Sequence, residues 1–234
     1  MKRFVKFYQL VVLILTLTGL SACSCGDREE RLAKIRGAHG KDAAGSSNTE
    51  VVQGSPGARL YREKTCNTCH GDDGIKALLP TYPVIARQGQ EYALQQMKDI
   101  QSGNRTNGQS AVMKAVVQEI SEEDLAILAD YIANELGADA QVGTGAVDEE
   151  SAGAKLFRTK TCLACHGADG KSPILPTYPK IAGHSSEYAL QQMRDIKSGA
   201  RANSMAVLGM QGVMHLVNDE EMVQLAQYLS TLPR

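Results

Sequence analysis

The sequence predicts an all-α chain made of two small helical domains in tandem. Three observations predict it. The first is a repeat: Gly57-Ala58-Arg59-Leu60-Tyr61 answers Gly153-Ala154-Lys155-Leu156-Phe157, Leu79-Pro80-Thr81-Tyr82-Pro83 answers Leu175-Pro176-Thr177-Tyr178-Pro179, and Glu91 to Met97 answers Glu187 to Met193, each pair 96 residues apart. The second is apolar residues recurring at helical spacing in each copy. The third is one short motif, Cys66-Asn67-Thr68-Cys69-His70, returning as Cys162-Leu163-Ala164-Cys165-His166. Only two copies of roughly 85 residues exist and each carries its own motif, so separate domains fit better than a solenoid.

Two cysteines three apart with a histidine directly after them form the attachment signature of a c-type haem. The two thiols reach the two vinyl groups on one porphyrin edge, and the adjacent imidazole sits under the iron. A zinc site would want further Cys or His ligands nearby, and none follow either motif. A thiol-disulfide site would want a βαβ setting, and these flanks read as helical. Both copies continue alike, as Gly71-Asp72-Asp73-Gly74 and Gly167-Ala168-Asp169-Gly170. Two covalent haems are therefore expected, bound through Cys66 and Cys69 and through Cys162 and Cys165, with His70 and His166 on the irons.

The chain has 234 residues and no tryptophan, so the haems would supply much of the apolar bulk that each small core lacks. The formal net charge of −1 hides a basic start, since residues 1–22 carry Lys2, Arg3 and Lys6 and no acid. A basic nucleic-acid footprint is absent. The apolar run Leu10 to Leu17, broken only by Thr16, has signal-peptide length and is short for a membrane span. It ends in Leu20-Ser21-Ala22-Cys23, which resembles a bacterial lipobox. Residues 1–22 are thus expected to be a lipoprotein signal, with Cys23 the lipidated residue. Ser24 after it favours the outer membrane. Cys25 has no assigned role. Export suits the haems, since cytochromes of this type are assembled outside the cytoplasm, in the compartment that also tolerates oxidised thiols.

Residues 23–54 read as a flexible tether rich in Gly, Ser and Ala, with His39 a solvated loop residue. The stretch from 26 to 54, some 29 residues of such chain, reaches roughly 30 Å. The first domain, 55–137, opens at Ser55-Pro56, a helix-start pair. Three main helices are expected per repeat. The first leads into the haem motif. The second runs from about Glu91 to Ser102, with Ala93, Leu94, Met97 and Ile100 on one face. The third starts at Ser121, with Asp124 three on, and buries Leu125, Leu128 and Ile132. Its counterpart is capped by Asn218 and Glu221 and buries Met222, Leu225 and Leu229. Met97 and Met193 fall on the apolar stripe and read as core. Residues 138–147 form a linker, and 148–234 the second domain.

The sixth iron position decides the function. A methionine thioether there raises the potential and closes the iron, whereas an open position implies gas or peroxide chemistry. Met113 is the only methionine between the second and third helices of the first repeat. It stands seven before Ile120, and counting back seven from Val217 lands on Met210, so the spacing has become 97 and one residue has been inserted after Asn203. Met205 is the other candidate. Met214 reads as packing and His215 as surface. Pro83 and Pro179 offer a carbonyl that could hold the haem histidine through its Nδ1–H, or simply a rigid turn.

The order Cys-x-x-Cys-His, Tyr-Pro-x-Ile-Ala, Tyr-Ala-Leu-Gln-Gln-Met, Ser-Gly-x-Arg, then Met before a capped last helix resembles class I cytochrome c. The duplication resembles the di-haem cytochrome c4 family, from about Ser55 to the C-terminus. That resemblance implies tandem class I cytochrome c domains, a glycine–aromatic helix crossing at Gly57 with Tyr131 and Gly153 with Tyr228, prolines beside the haem histidines at Pro83 and Pro179, and arginines near a propionate at Arg105 and Arg201. Arg87 departs from the pattern, since the second repeat has Gly183. The expected function is single-electron transfer by a lipid-anchored extracytoplasmic carrier. Its partners would be redox proteins such as a quinol-oxidising complex or a terminal oxidase or reductase. The alternatives are a di-haem peroxidase or reductase with one open iron, or the electron-entry subunit of a larger complex.

Overall fold

The computed structural model describes residues 54–143 and 145–234; the signal, Cys23, Cys25, His39 and nearly all of the tether lie outside the described residues. Ten helices and no strand lie among them. In the first repeat these are α1 (Pro56–Glu63), α2 (Cys66–His70), α3 (Gln90–Ser102), α4 (Ser110–Val117) and α5 (Glu122–Asn134). In the second they are α6 (Ala152–Thr159), α7 (Cys162–His166), α8 (Ser186–Ser198), α9 (Met205–Met214) and α10 (Asp219–Thr231). Each repeat has the same scaffold: its last helix packs against its first and third, and the third also packs against the fourth.

The helix starts follow from side-chain caps. Ser55 and Ser151 accept from the backbone N–H of Ala58 and Ala154 at 3.2 Å, which satisfies one of the orphan donors of a first turn. Ser121 accepts from Asp124 N at 3.1 Å. Asn218 and Glu221 close the full reciprocal box on α10, at 2.9 and 2.8 Å.

The last helix reaches its partner through glycine. A Cβ on Gly57 would stand 2.3 Å from Tyr131 Cβ, and one on Gly153 2.6 Å from Tyr228 Cβ. The two core clusters are separate, one around Tyr61, Leu125 and Leu128, the other around Phe157, Met222 and Leu225.

Two features go beyond the expectation. Besides the three main helices expected per repeat, the segment carrying Met113 and Met210 is helical in both. The connection between the domains is also anchored: Val142 is buried, and a Cβ on Gly143 would lie 2.2 Å from Leu232 O. Arg87 explains part of this, since its guanidinium donates to the carbonyls of Ala138, Ala140 and Arg234. The cation that breaks the repeat therefore ties the connection and chain end down.

Candidate functional site

Each Cys-x-x-Cys-His segment is a single turn of helix launched from a strained residue. Thr65 (φ 58°) and Thr161 (φ 62°) are left-handed, a conformation that costs a β-branched residue energy and recurs at functional sites. The turn that follows is tied by an aspartate. Asp73 Oδ1 accepts from Ile75 N and Lys76 N at 2.8 and 2.9 Å, and Asp169 Oδ1 from Lys171 N and Ser172 N at 2.9 Å. The acidic residue shared by both motifs thus builds the loop behind the histidine.

The histidines are buried and oriented alike. His70 Nδ1 lies 3.2 Å from Pro83 O, and His166 Nδ1 lies 3.0 Å from Pro179 O. A carbonyl only accepts, so each Nδ1 carries the proton and each Nε2 keeps its lone pair. Burial lowers both imidazoles below the usual histidine value, and the proline carbonyl opposes this only in part. Neutral imidazoles with Nε2 free are the form that binds a metal. The thiols are unpaired. Burial pushes Cys66 and Cys162 up to about 11, the reverse of the lowered value that a disulfide-exchanging thiolate needs.

These groups share one large cavity of about 950 Å³, which carries all four motif cysteines, both histidines, Met113, Met205, Met210 and Met214, and an apolar lining from both repeats. Met113 and Met210 are half-buried and pack on their own core clusters. Met205 is 81% exposed, and Met214 is fully enclosed. His215 is on the surface. Burial follows the 97-residue spacing: Ser110 and Val207, Val117 and Met214, and Ile120 and Val217 are all buried pairs. Met113 and Met210 occupy the same place in that register. Met97 and Met193 are buried in the cores and also line the cavity.

Arg105 and Arg201 line the cavity where the two repeats meet. Arg105 donates to Gln96 Oε1 at 3.0 Å within its own domain and to Gln192 Oε1 at 3.1 Å across the seam. Arg201 mirrors it, donating to Gln192 Oε1 at 2.9 Å and across to Gln96 Oε1 at 2.9 Å and Tyr92 Oη at 3.0 Å. Asn107 reaches Asp195 at 2.6 Å, and Asn203 reaches Asp99 at 2.5 Å. Every hydrogen-bond acceptor of the two guanidiniums among the described residues is a neutral amide or phenol oxygen. Arg201 is buried and Arg105 half-buried, and two such cations without a bonded carboxylate suit an anionic group in the cavity.

Sequence reasoning missed Tyr92, Gln96, Tyr188 and Gln192 as a seam. A signal existed. The two copies of Tyr-Ala-Leu-Gln-Gln-Met agree at polar as well as apolar positions, more than a buried stripe requires.

The residues fit a c-type haem in each repeat: two free cysteines, an imidazole with Nε2 free, an apolar wall and a cation at one edge. The comparisons agree. The family model for cytochrome c matches residues 55–135 and again 150–233. Cytochrome c4 of Azotobacter vinelandii is 28% identical over 194 residues, covering 76% of this chain and 90% of that protein. A thiosulfate dehydrogenase electron acceptor of Stutzerimonas stutzeri is 26% identical, covering 77% and 88%. The crystal structure of reduced recombinant cytochrome c4 from Pseudomonas stutzeri superposes with a TM-score of 0.63 at 27% identity, covering 77% of this chain and all of that one. The chain belongs to the cytochrome c family, as a di-haem electron-transfer cytochrome whose two c-type haems are held covalently by Cys66 and Cys69 and by Cys162 and Cys165.

Proposed function

We propose that this chain is an extracytoplasmic, lipid-anchored electron carrier with two closed irons, ligated by His70 and Met113 and by His166 and Met210. The observation that carries this is the shared place of the two methionines: both are half-buried against their cores, at equivalent points of helices α4 and α9. Met205, at 81% exposed, is a poor competitor. The haems, when bound, supply a one-electron ferric/ferrous couple that axial thioether ligation poises toward the reduced form.

The protein's own residues do the rest. Pro83 O and Pro179 O hold each histidine in the tautomer that presents Nε2. Arg105 and Arg201 line the cavity, where their charge would neutralise propionate carboxylates. The apolar lining excludes water and lowers the reorganisation accompanying each change of charge.

Residues 55–137 and 148–234 form the two carrier domains in this reading, joined by 138–147. Residues 1–22 direct export, and 23–54 tether the carrier to the membrane through Cys23. Confinement there raises its effective concentration near membrane-bound partners. Those partners are single-electron donors and acceptors, such as a quinol-oxidising complex or a terminal oxidase or reductase. The relative named as an acceptor for thiosulfate dehydrogenase adds a sulfur-oxidising dehydrogenase as a donor class.

The test is ligand replacement. Met113→Ala and Met210→Ala should each open one iron, so that the reduced variant binds carbon monoxide at one site while the parent binds none at neutral pH. Met205→Ala should leave the spectrum native. Carbon monoxide binding by the unaltered reduced protein would replace the carrier with an open-iron enzyme. Loss of the second native spectrum in Met205→Ala would move the ligand to Met205.

A further inference from the structure

The seam between the domains is nearly two-fold, and Gln88 and His184 are among the positions where it breaks. Gln88 in the first repeat crosses to the second, its Nε2 donating to Lys180 O at 2.9 Å and its Oε1 accepting from Lys180 N at 2.8 Å. Its counterpart, His184, makes no such crossing bond to Val84. Arg234 does that work instead. Its Nη1 donates to Val84 O and Ala86 O at 3.0 and 3.1 Å, its Nε to Ala182 O at 3.0 Å, and its Nη2 to Lys180 O at 3.0 Å. The remaining Nη2 hydrogen points at His184 Nε2, 3.0 Å away.

All five guanidinium hydrogens are thereby used, and a guanidinium has no acceptor. His184 Nε2 must therefore accept, and the ring proton must sit on Nδ1. That Nδ1 is buried and meets no acceptor at hydrogen-bond distance and angle among the described residues. Enclosed buried donors of this kind are rare and mark a missing acceptor. The ring is 6% exposed, lies 4.8 Å from the Tyr188 ring, and lines the cavity together with Arg105 and Arg201. Burial and the Arg234 charge both hold it neutral, against a weaker pull from the Lys180 backbone. With Lys180, Arg234, Arg201 and Arg105 as the nearby cations, a wall supplied with donors from Arg105, Arg201 and His184 selects an anionic acceptor.

We propose that His184 Nδ1–H donates to a haem propionate carboxylate at the domain seam, as a positioning residue whose place in the first repeat is taken by Gln88. The proposal rests on the two-haem reading above. Gln88 spends its carbonyl and one amide N–H on Lys180, and no imidazole stands at that place in the first repeat. The contact makes the two irons unequal. A donor that withdraws charge from a propionate favours the reduced state of the haem it touches.

The test uses the complete di-haem protein. Haem counting after denaturation should give two covalent haems per chain in the parent, His184→Leu and His184→Asn; fewer in the parent would overturn the two-haem reading itself. Long-range proton–nitrogen NMR of the reduced parent should show His184 as the Nδ1–H tautomer with an exchange-protected proton. Potentiometric titration should show one of the two couples shifted downward in His184→Leu, the other unmoved, and the shift recovered in His184→Asn, whose amide places an N–H where Nδ1–H stood. Two unmoved potentials in His184→Leu with both haems attached, or an Nε2–H tautomer in the parent, overturns the proposal. The NMR arm decides even where the leucine variant does not fold.

Discussion

At Gly153 the chain has no room for a side chain. An added Cβ would fall 2.2 Å from Gln224 O and 2.6 Å from Tyr228 Cβ, both on α10. Overpacking of this kind costs about 1–3 kcal/mol, so Gly153→Ala should lower the urea midpoint of the protein. Gly212 on α9 is the control, since nothing lies within 4 Å of a Cβ there. Gly212→Ala should raise stability by about 0.5–1 kcal/mol, through helix entropy alone. The glycine–tyrosine crossings were legible in the sequence because a family resemblance named their positions. Thr65 and Thr161 were not, because nothing in a threonine announces a positive φ; their strain is imposed by the turn into each cysteine helix.

At the scale of the element, α10 shows how a cap couples to pH. The Glu221 carboxyl is held below the usual glutamate value by the Asn218 backbone N–H and then by Lys160, whose Nζ stands 3.0 Å from it. A carboxyl depressed in the folded state stabilises the protein above its unfolded value, and loses that contribution as pH falls through its folded value. Glu221→Gln should therefore lower the denaturation midpoint at pH 7 and leave it nearly unchanged at pH 3, read by urea titration at both. The caps of α1, α5 and α10 were legible because Ser and Asn stand where a polar cap must. Helices α4 and α9 were not. Val112, Met205 and Leu208 are exposed on them, so their apolar residues run around the helix and no one-sided stripe identifies it.

At the scale of the whole molecule, the two domains meet through polar side chains far apart in sequence. Arg201 and Tyr92 are 109 positions apart, and Arg234 and Val84 are 150. Hydrophobic periodicity carries no information about such pairs, which is why the repeat revealed both domains and neither side of their seam. Attachment is a separate property. Cys23 lies beyond the described residues, and lipidation there predicts that Cys23→Ser releases the protein into the soluble fraction with both haems intact; tight membrane association of that variant would remove the lipid anchor.

The reciprocal pairing of Arg105 with Gln192 and Arg201 with Gln96 has a consequence for symmetry. A contact in which one patch meets its own copy is isologous, the geometry of a two-fold dimer. Each half presents the Arg, Asn, Gln, Tyr and Asp that the other half receives, so the covalent connection joins what two separate copies would pair. Arg87, His184 and Arg234 are where that two-fold relation ends.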